Sequence, residues 1–161
     1  MSVNVNYTSN LTVRETLETN VPAASDAQVV HSGYDTTAPL NATSTPTATK
    51  HAAFSKALSA GAATIDLTAL TGTGGVTVDG TALKVVAAKF KNPSANNIQI
   101  CFGASNAYLF GTNAAWKHTL CPGDEILLKF HNNPLIDATH KNIDLAGTLV
   151  QTLDCEIVLG L

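Results

Sequence analysis

From His51 to the C-terminus the apolar runs are short, and turn formers close them one after another. Leu83 to Phe90 stops at Asn92-Pro93, Ile98 to Phe102 stops at Gly103, and Glu125 to Phe130 stops before Asn132-Asn133-Pro134. Phe54, Lys56 and Leu58 alternate with small residues until Gly61, and Val76-Thr77-Val78 runs into Asp79-Gly80, a hairpin signal. Thr71-Gly72-Thr73-Gly74-Gly75 reads as a turn or loop tip, Tyr108-Leu109-Phe110 and Trp116 to Leu120 as short strands, and Leu149 to Leu159 as the last strand. About nine strands at turn spacings of roughly 8–12 residues predict a sandwich, barrel or jelly roll, and no strand–helix–strand rhythm supports a parallel sheet. The expectation is therefore an all-β chain: an antiparallel β-sandwich or jelly-roll-like domain over residues 51–161, preceded by an N-terminal strand and extended arm over residues 1–50.

The arm differs in texture. Val3, Val5 and Tyr7 alternate with Asn4, Asn6 and Thr8, a period of two that marks a half-buried strand, and Leu11 and Val13 prolong it. From Pro22 to Lys50 three prolines stand in a background of Ala, Thr, Ser and Asn, with Val29-Val30, Tyr34 and Leu40 as the sizeable apolar anchors. A loop of that length inside a compact domain is either functional or disordered. Two placements are open for the first strand: an edge of its own sheet, or addition to the sheet of a neighbouring chain. For the second, Val3, Val5, Tyr7, Leu11 and Val13 are the candidate interface residues. Trp116, beside Lys117 and His118, is the candidate interface aromatic.

Charged residues make up 13% of the 161, against roughly a quarter in ordinary domains. Thr, Ala, Asn and Ser take their place, so the surface has little self-repulsion and is suited to being covered by partners. A net charge of −3 with scattered Lys and Arg excludes the clustered basic patch that nucleic acid requires. There is no signal-peptide pattern and no apolar run of membrane-spanning length, so no membrane partner is expected.

The groups that carry chemistry are dispersed. His31, His51, His118, His131 and His140 lack the i, i+4 spacing of a helical zinc site, although His131 and His140 flank Asp137. Cys101, Cys121 and Cys155 have no CxxC spacing; each reads as a small apolar side chain, with a Cys101–Cys121 bridge left open. No Gly-x-Ser-x-Gly elbow occurs, and Asp124 and Glu125 are adjacent, hence on opposite strand faces. No enzyme, cofactor or metal is expected. An internal echo joins Thr64-Ile65-Asp66-Leu67 to Asn142-Ile143-Asp144-Leu145.

Leu58 to Thr73, Val85 to Pro93, Gly103 to Gly111, Cys121-Pro122-Gly123-Asp124-Glu125 and Asn142 to Thr148 together resemble small virion-associated proteins of tailed bacteriophages. The resemblance spans most of the chain from Leu40 onward. It implies a β-sandwich, a homo-oligomer such as a trimer, and a role as a capsid decoration or cement protein bound to the major capsid protein or other virion proteins. It also implies a place in the virion, after assembly in the bacterial host cytoplasm. Two other roles stand beside it: a tail, connector or shell component, and a glycan-binding host-attachment module using Trp116. It implies no catalytic residues.

Overall fold

A computed structural model of the chain describes residues 3–17, 27–31, 36–102, 105–110 and 116–161. Its main body is two four-stranded antiparallel sheets. One has the order β12-β9-β14-β5 and the other β11-β10-β13-β6. The strands are β5 (Lys50–Leu58), β6 (Ala62–Asp66), β9 (Lys84–Lys91), β10 (Ile98–Phe102), β11 (Lys117–Leu120), β12 (Glu125–Lys129), β13 (Asn142–Ala146) and β14 (Gln151–Gly160). Each strand of one sheet is joined to its sequence neighbour at the same rank in the other: β5 to β6, β9 to β10, β11 to β12, β13 to β14. Because Leu58 lies opposite Gln151, Lys91 opposite Asp154 and Glu125 opposite Lys91, all four of these links sit at one end. Eight strands in this order form a jelly roll, with two Greek keys wound together. An antiparallel β-sandwich of this kind is what the turn spacing predicted.

The alternation expected of β14 is visible as burial. Leu153, Cys155 and Ile157 face inward and are fully buried, while Thr152 and Glu156 are exposed. Phe90 of β9 lies beside Cys155 in the same sheet, and Ile98 and Ile100 of β10 with Ile143 and Leu145 of β13 meet them across the sandwich. The two echoed segments pair with each other: Ile65 lies opposite Ile143, and Asp144 opposite Thr64, whose hydroxyl donates to the carboxylate at 2.6 Å. Their shared pattern thus reflects antiparallel neighbours burying the same face.

Register shifts between Val158 and Leu159, so Val86 of β9 is an extra residue between the pairs Ala87–Val158 and Val85–Leu159. Such a bulge turns neighbouring side chains to the same face. Val86, Ala87 and Val158 consequently form a second apolar cluster outside the sandwich, with Leu40 and Ala48.

That cluster is covered by a ribbon of β1 (Val5–Ser9) and β4 (Thr36–Leu40), paired from Val5–Leu40 to Ser9–Thr36. Pro39 is tolerated because β4 is an edge strand of this ribbon. Two differences from the sequence reading follow. The strand does not continue through Leu11 and Val13; Val13 opens β2 (Val13–Leu17), which pairs with β3 (Ala27–His31). The stretch from Pro22 to Lys50, read as extended, contains β3 and β4. A third difference concerns the hairpin at Asp79-Gly80. The pairing there is between β7 (Leu70–Thr71) and β8 (Thr77–Val78), closed by residues 72–76. Asp79 instead accepts the backbone N–H and hydroxyl of Thr81 in an Asx turn, a competing use of Asp that dipeptide statistics miss. Tyr108-Leu109-Phe110, read as a strand, lies outside any strand.

Where β12 ends opposite Ala87, side chains take over from the ladder. The buried Tyr108 hydroxyl accepts from the Val85 N–H and donates to the Pro134 carbonyl, both at 2.9 Å, while Asn133 Nδ2 donates to the Val85 carbonyl at 2.9 Å. Burial pushes the phenol up to about 12, outweighing the opposite pull of the Val85 N–H and the Asn133 side chain, so it remains a neutral donor. Tyr108→Phe orphans a buried N–H and a carbonyl, and should lower the unfolding free energy by about 1–3 kcal/mol in urea titration with an unchanged slope. At the same end of β14, a Cβ on Gly160 would lie 1.8 Å from the Thr47 carbonyl oxygen. Gly160→Ala should therefore cost about 2 kcal/mol or more in the same titration, because backbone rather than a flexible side chain must move.

Candidate interaction surface

The outer face of the β12-β9-β14-β5 sheet is divided in two. On one half, Val3, Val5 and Tyr7 pack on Val86, Ala87 and Val158, and the Lys129 ammonium lies 5.4 Å from the Tyr7 ring centre. The other half is open. Register places Ser55, Asp154, Lys91 and Glu125 in one row across the strands, and Ala53, Glu156, Lys89 and Leu127 in the next. Carboxylates on β14 thus neighbour ammonium groups on β9. Lys89 reaches Glu125 at 3.1 Å, and Ser55 donates to Asp154 at 2.5 Å. Both side chains of the Lys89–Glu125 pair are well exposed, so it contributes only about 0.2–1 kcal/mol. A shallow, charge-alternating face with a β ribbon along one side suits contact with another macromolecule better than enclosure of a small ligand.

The sequence-derived interface residues separate into three places. Val3, Val5 and Tyr7 lie against their own chain's outer cluster. Leu11 is 65% and Val13 44% exposed, and Val30 of the paired strand is 52% exposed. Trp116 is half-buried before β11 in the other sheet. Phe110 meets it edge-on at 5.6 Å and His118 stacks on it at 6.0 Å. Phe110 in turn stacks on Phe130 at 5.0 Å, so Trp116 ends an aromatic row that runs into the core. Exposed Leu127, Leu149 and Val150 carried no separate signal in the sequence, since each lies in a run that reads as strand interior.

Among the described residues no group of three or more His, Cys, Asp or Glu side chains could hold a metal. His140 instead bonds Asp137 inside a turn, where Asp137 also accepts the Thr139 hydroxyl and N–H. The Thr139 hydrogen bonds, then that of His140, hold the Asp137 carboxyl down at about 2. A depressed carboxylate contributes its stabilisation above its unfolded pKa near 4 and loses it as pH falls toward 2. At Asp66, burial pushes the carboxyl upward, but hydrogen bonds from Lys141 at 2.7 Å and from Thr68 outweigh it and leave it below the usual range.

The three cysteines are free thiols. Cys101 lies opposite Lys117 and Ile98 opposite Leu120, so Cys121, beyond Leu120, is about 10 Å or more along the strand from Cys101. That separation exceeds disulfide reach, which closes the possibility of a bridge. Burial, with Asp154 beside it, pushes the Cys155 thiol up to about 12, whereas Cys121 is exposed.

In a thiol-exchange assay on the native protein, Cys121 should label within minutes, and Cys155 only after denaturant is added. Fast labelling of Cys155 would contradict its place in the core. Titrated by NMR, the Asp137 carboxyl should show a midpoint near 2, moving upward in Thr139→Ala. No family model matches the chain, and neither does any curated protein or solved structure.

Proposed function

We propose that this chain is a structural protein of a bacteriophage particle, a capsid decoration or cement protein that stabilises the head through protein–protein contacts. The β2–β3 ribbon is the observation that carries this reading. Ser9 and Thr36 are paired, so the β2–β3 ribbon is an excursion from a closed β1–β4 root. Among the described side chains, none of the excursion joins either apolar cluster, and Val13 and Val30 are about half exposed. A two-stranded ribbon alone is marginal in water. Seated on a neighbouring subunit, it would bury those valines, and repetition over a lattice would turn weak contacts into firm attachment. A jelly roll with sparse charge and phrases resembling virion proteins agrees with that use.

Tail, connector or shell placement remains the second form of the same reading, and copy number per particle separates the two. A glycan-binding role draws less support, because Trp116 is engaged by Phe110 and His118.

Replacing residues 11–34 by a short Gly/Ser link should leave the sandwich and the β1–β4 root folded. Occupancy on particles stripped of the protein should then fall about tenfold or more. Undiminished occupancy would overturn the assignment of the ribbon as the attachment arm.

A further inference from the structure

The jelly roll has four sheet edges, and they are not treated alike. A free edge invites another strand, and proteins guard edges with inward charges, short strands or a covering element. Strand β5 places Lys56 opposite the inward-facing Leu153, and the β7–β8 hairpin packs beside its start. Strand β11 has four residues and places His118 opposite the buried Ile100. Strand β6 offers Ala62, Ala63 and Thr64, with little apolar surface to bury.

Among the described residues, strand β12 has no inward charge and no covering element, and its charges, Glu125 and Lys129, stand at its two ends. The Phe130 N–H donates to the Val86 carbonyl, so even-numbered residues turn their backbone toward β9. By alternation Glu125, Leu127 and Lys129 turn theirs to the free edge, where no described residue bonds them. Ile126 and Leu128, on the inner face, are only half-buried, although Phe90 and Ile157 on that face are fully buried. Leu127 is 40% exposed on the outer face.

The sequence of this edge is self-complementary. Glu125-Ile126-Leu127-Leu128-Lys129 runs from acid through three apolar residues to base. Laid antiparallel to a copy of itself about Leu127, it sets Glu125 opposite the partner's Lys129 and Ile126 opposite the partner's Leu128. Leu127 then meets the partner's Leu127. A single two-fold axis satisfies both charges, pairs every outward backbone group of the three odd residues, and covers the half-buried inner side chains.

We propose that β12 is a self-association edge, through which a second copy of this chain joins two four-stranded sheets into one eight-stranded sheet. The existing contacts allow it. Glu125 keeps a second carboxylate oxygen beside its contact to Lys89, and Lys129 meets Tyr7 through the ring face. The association does not depend on a virion setting.

Sedimentation equilibrium of the full chain tests it without any particle present. The wild-type chain should show a monomer–dimer equilibrium that weakens with salt. Lys129→Glu and Glu125→Lys each set like charges opposite one another, and each alone should weaken the dimer about tenfold or more. An equimolar mixture of the two restores both opposite-charge pairs and should form a heterodimer. Leu127→Lys, a change at an exposed position, should leave the fold intact by circular dichroism and the chain monomeric. A wild-type chain that stays monomeric at ~0.1 mM would overturn the proposal. So would a dimer unaffected by the single variants, or a mixture that fails to associate.

Discussion

Strand β14 is hydrogen-bonded along both edges, to β5 over nine residue pairs and to β9 over seven. Its inward side chains occupy the middle of the sandwich, and its outward ones define the rows of the exposed face. Burying Leu153, Cys155 and Ile157 on one side fixes the register of both neighbours, because a slip of one residue would put Asp154 and Glu156 into the core. The bulge at Val86 of β9, between the pairs to Val158 and Leu159, leaves Val86 and Ala87 on the same outer face. From it follow the second apolar cluster and the seat of β1.

The outer surfaces thus inherit their character from the core register. Carboxylates of β14 fall beside ammonium groups of β9 because both strands must keep their apolar residues on the other face. Charge alternation of this kind contributes little to folding, and it nearly balances the open half of the sheet, with Glu125, Asp154 and Glu156 set against Lys89 and Lys91. The same logic exposes the β12 edge. A jelly roll closes its sheets by stacking rather than by curling into a barrel, so edges remain, and the side chains and covering elements that the fold brings to each edge decide which are protected.

Particular elements show how far the chain could be read beforehand. The strands from Lys84 to Lys91, Ile98 to Phe102, Glu125 to Lys129 and Gln151 to Gly160 were legible, since alternation and turn formers are local signals. The Asp79-Gly80 hairpin and the Tyr108–Phe110 strand were misread. Asp79 satisfies Thr81, and Tyr108 is held by Val85 and Pro134, both long-range or side-chain choices that a local pattern does not contain. Of the candidate interface residues, Leu11 and Val13 lie exposed, while Val3, Val5 and Tyr7 find a seat only because a bulge distant in sequence creates one.

By itself the sequence determined an all-β antiparallel sandwich, its approximate strands and its sparse charge, because period-two patterning and turn chemistry act over a few residues. Tertiary structure decided which strands become neighbours, which edge stays open and where the first strand rests. Those outcomes depend on pairing between residues about a hundred positions apart, such as Lys50 with Leu159, and no local preference encodes that pairing.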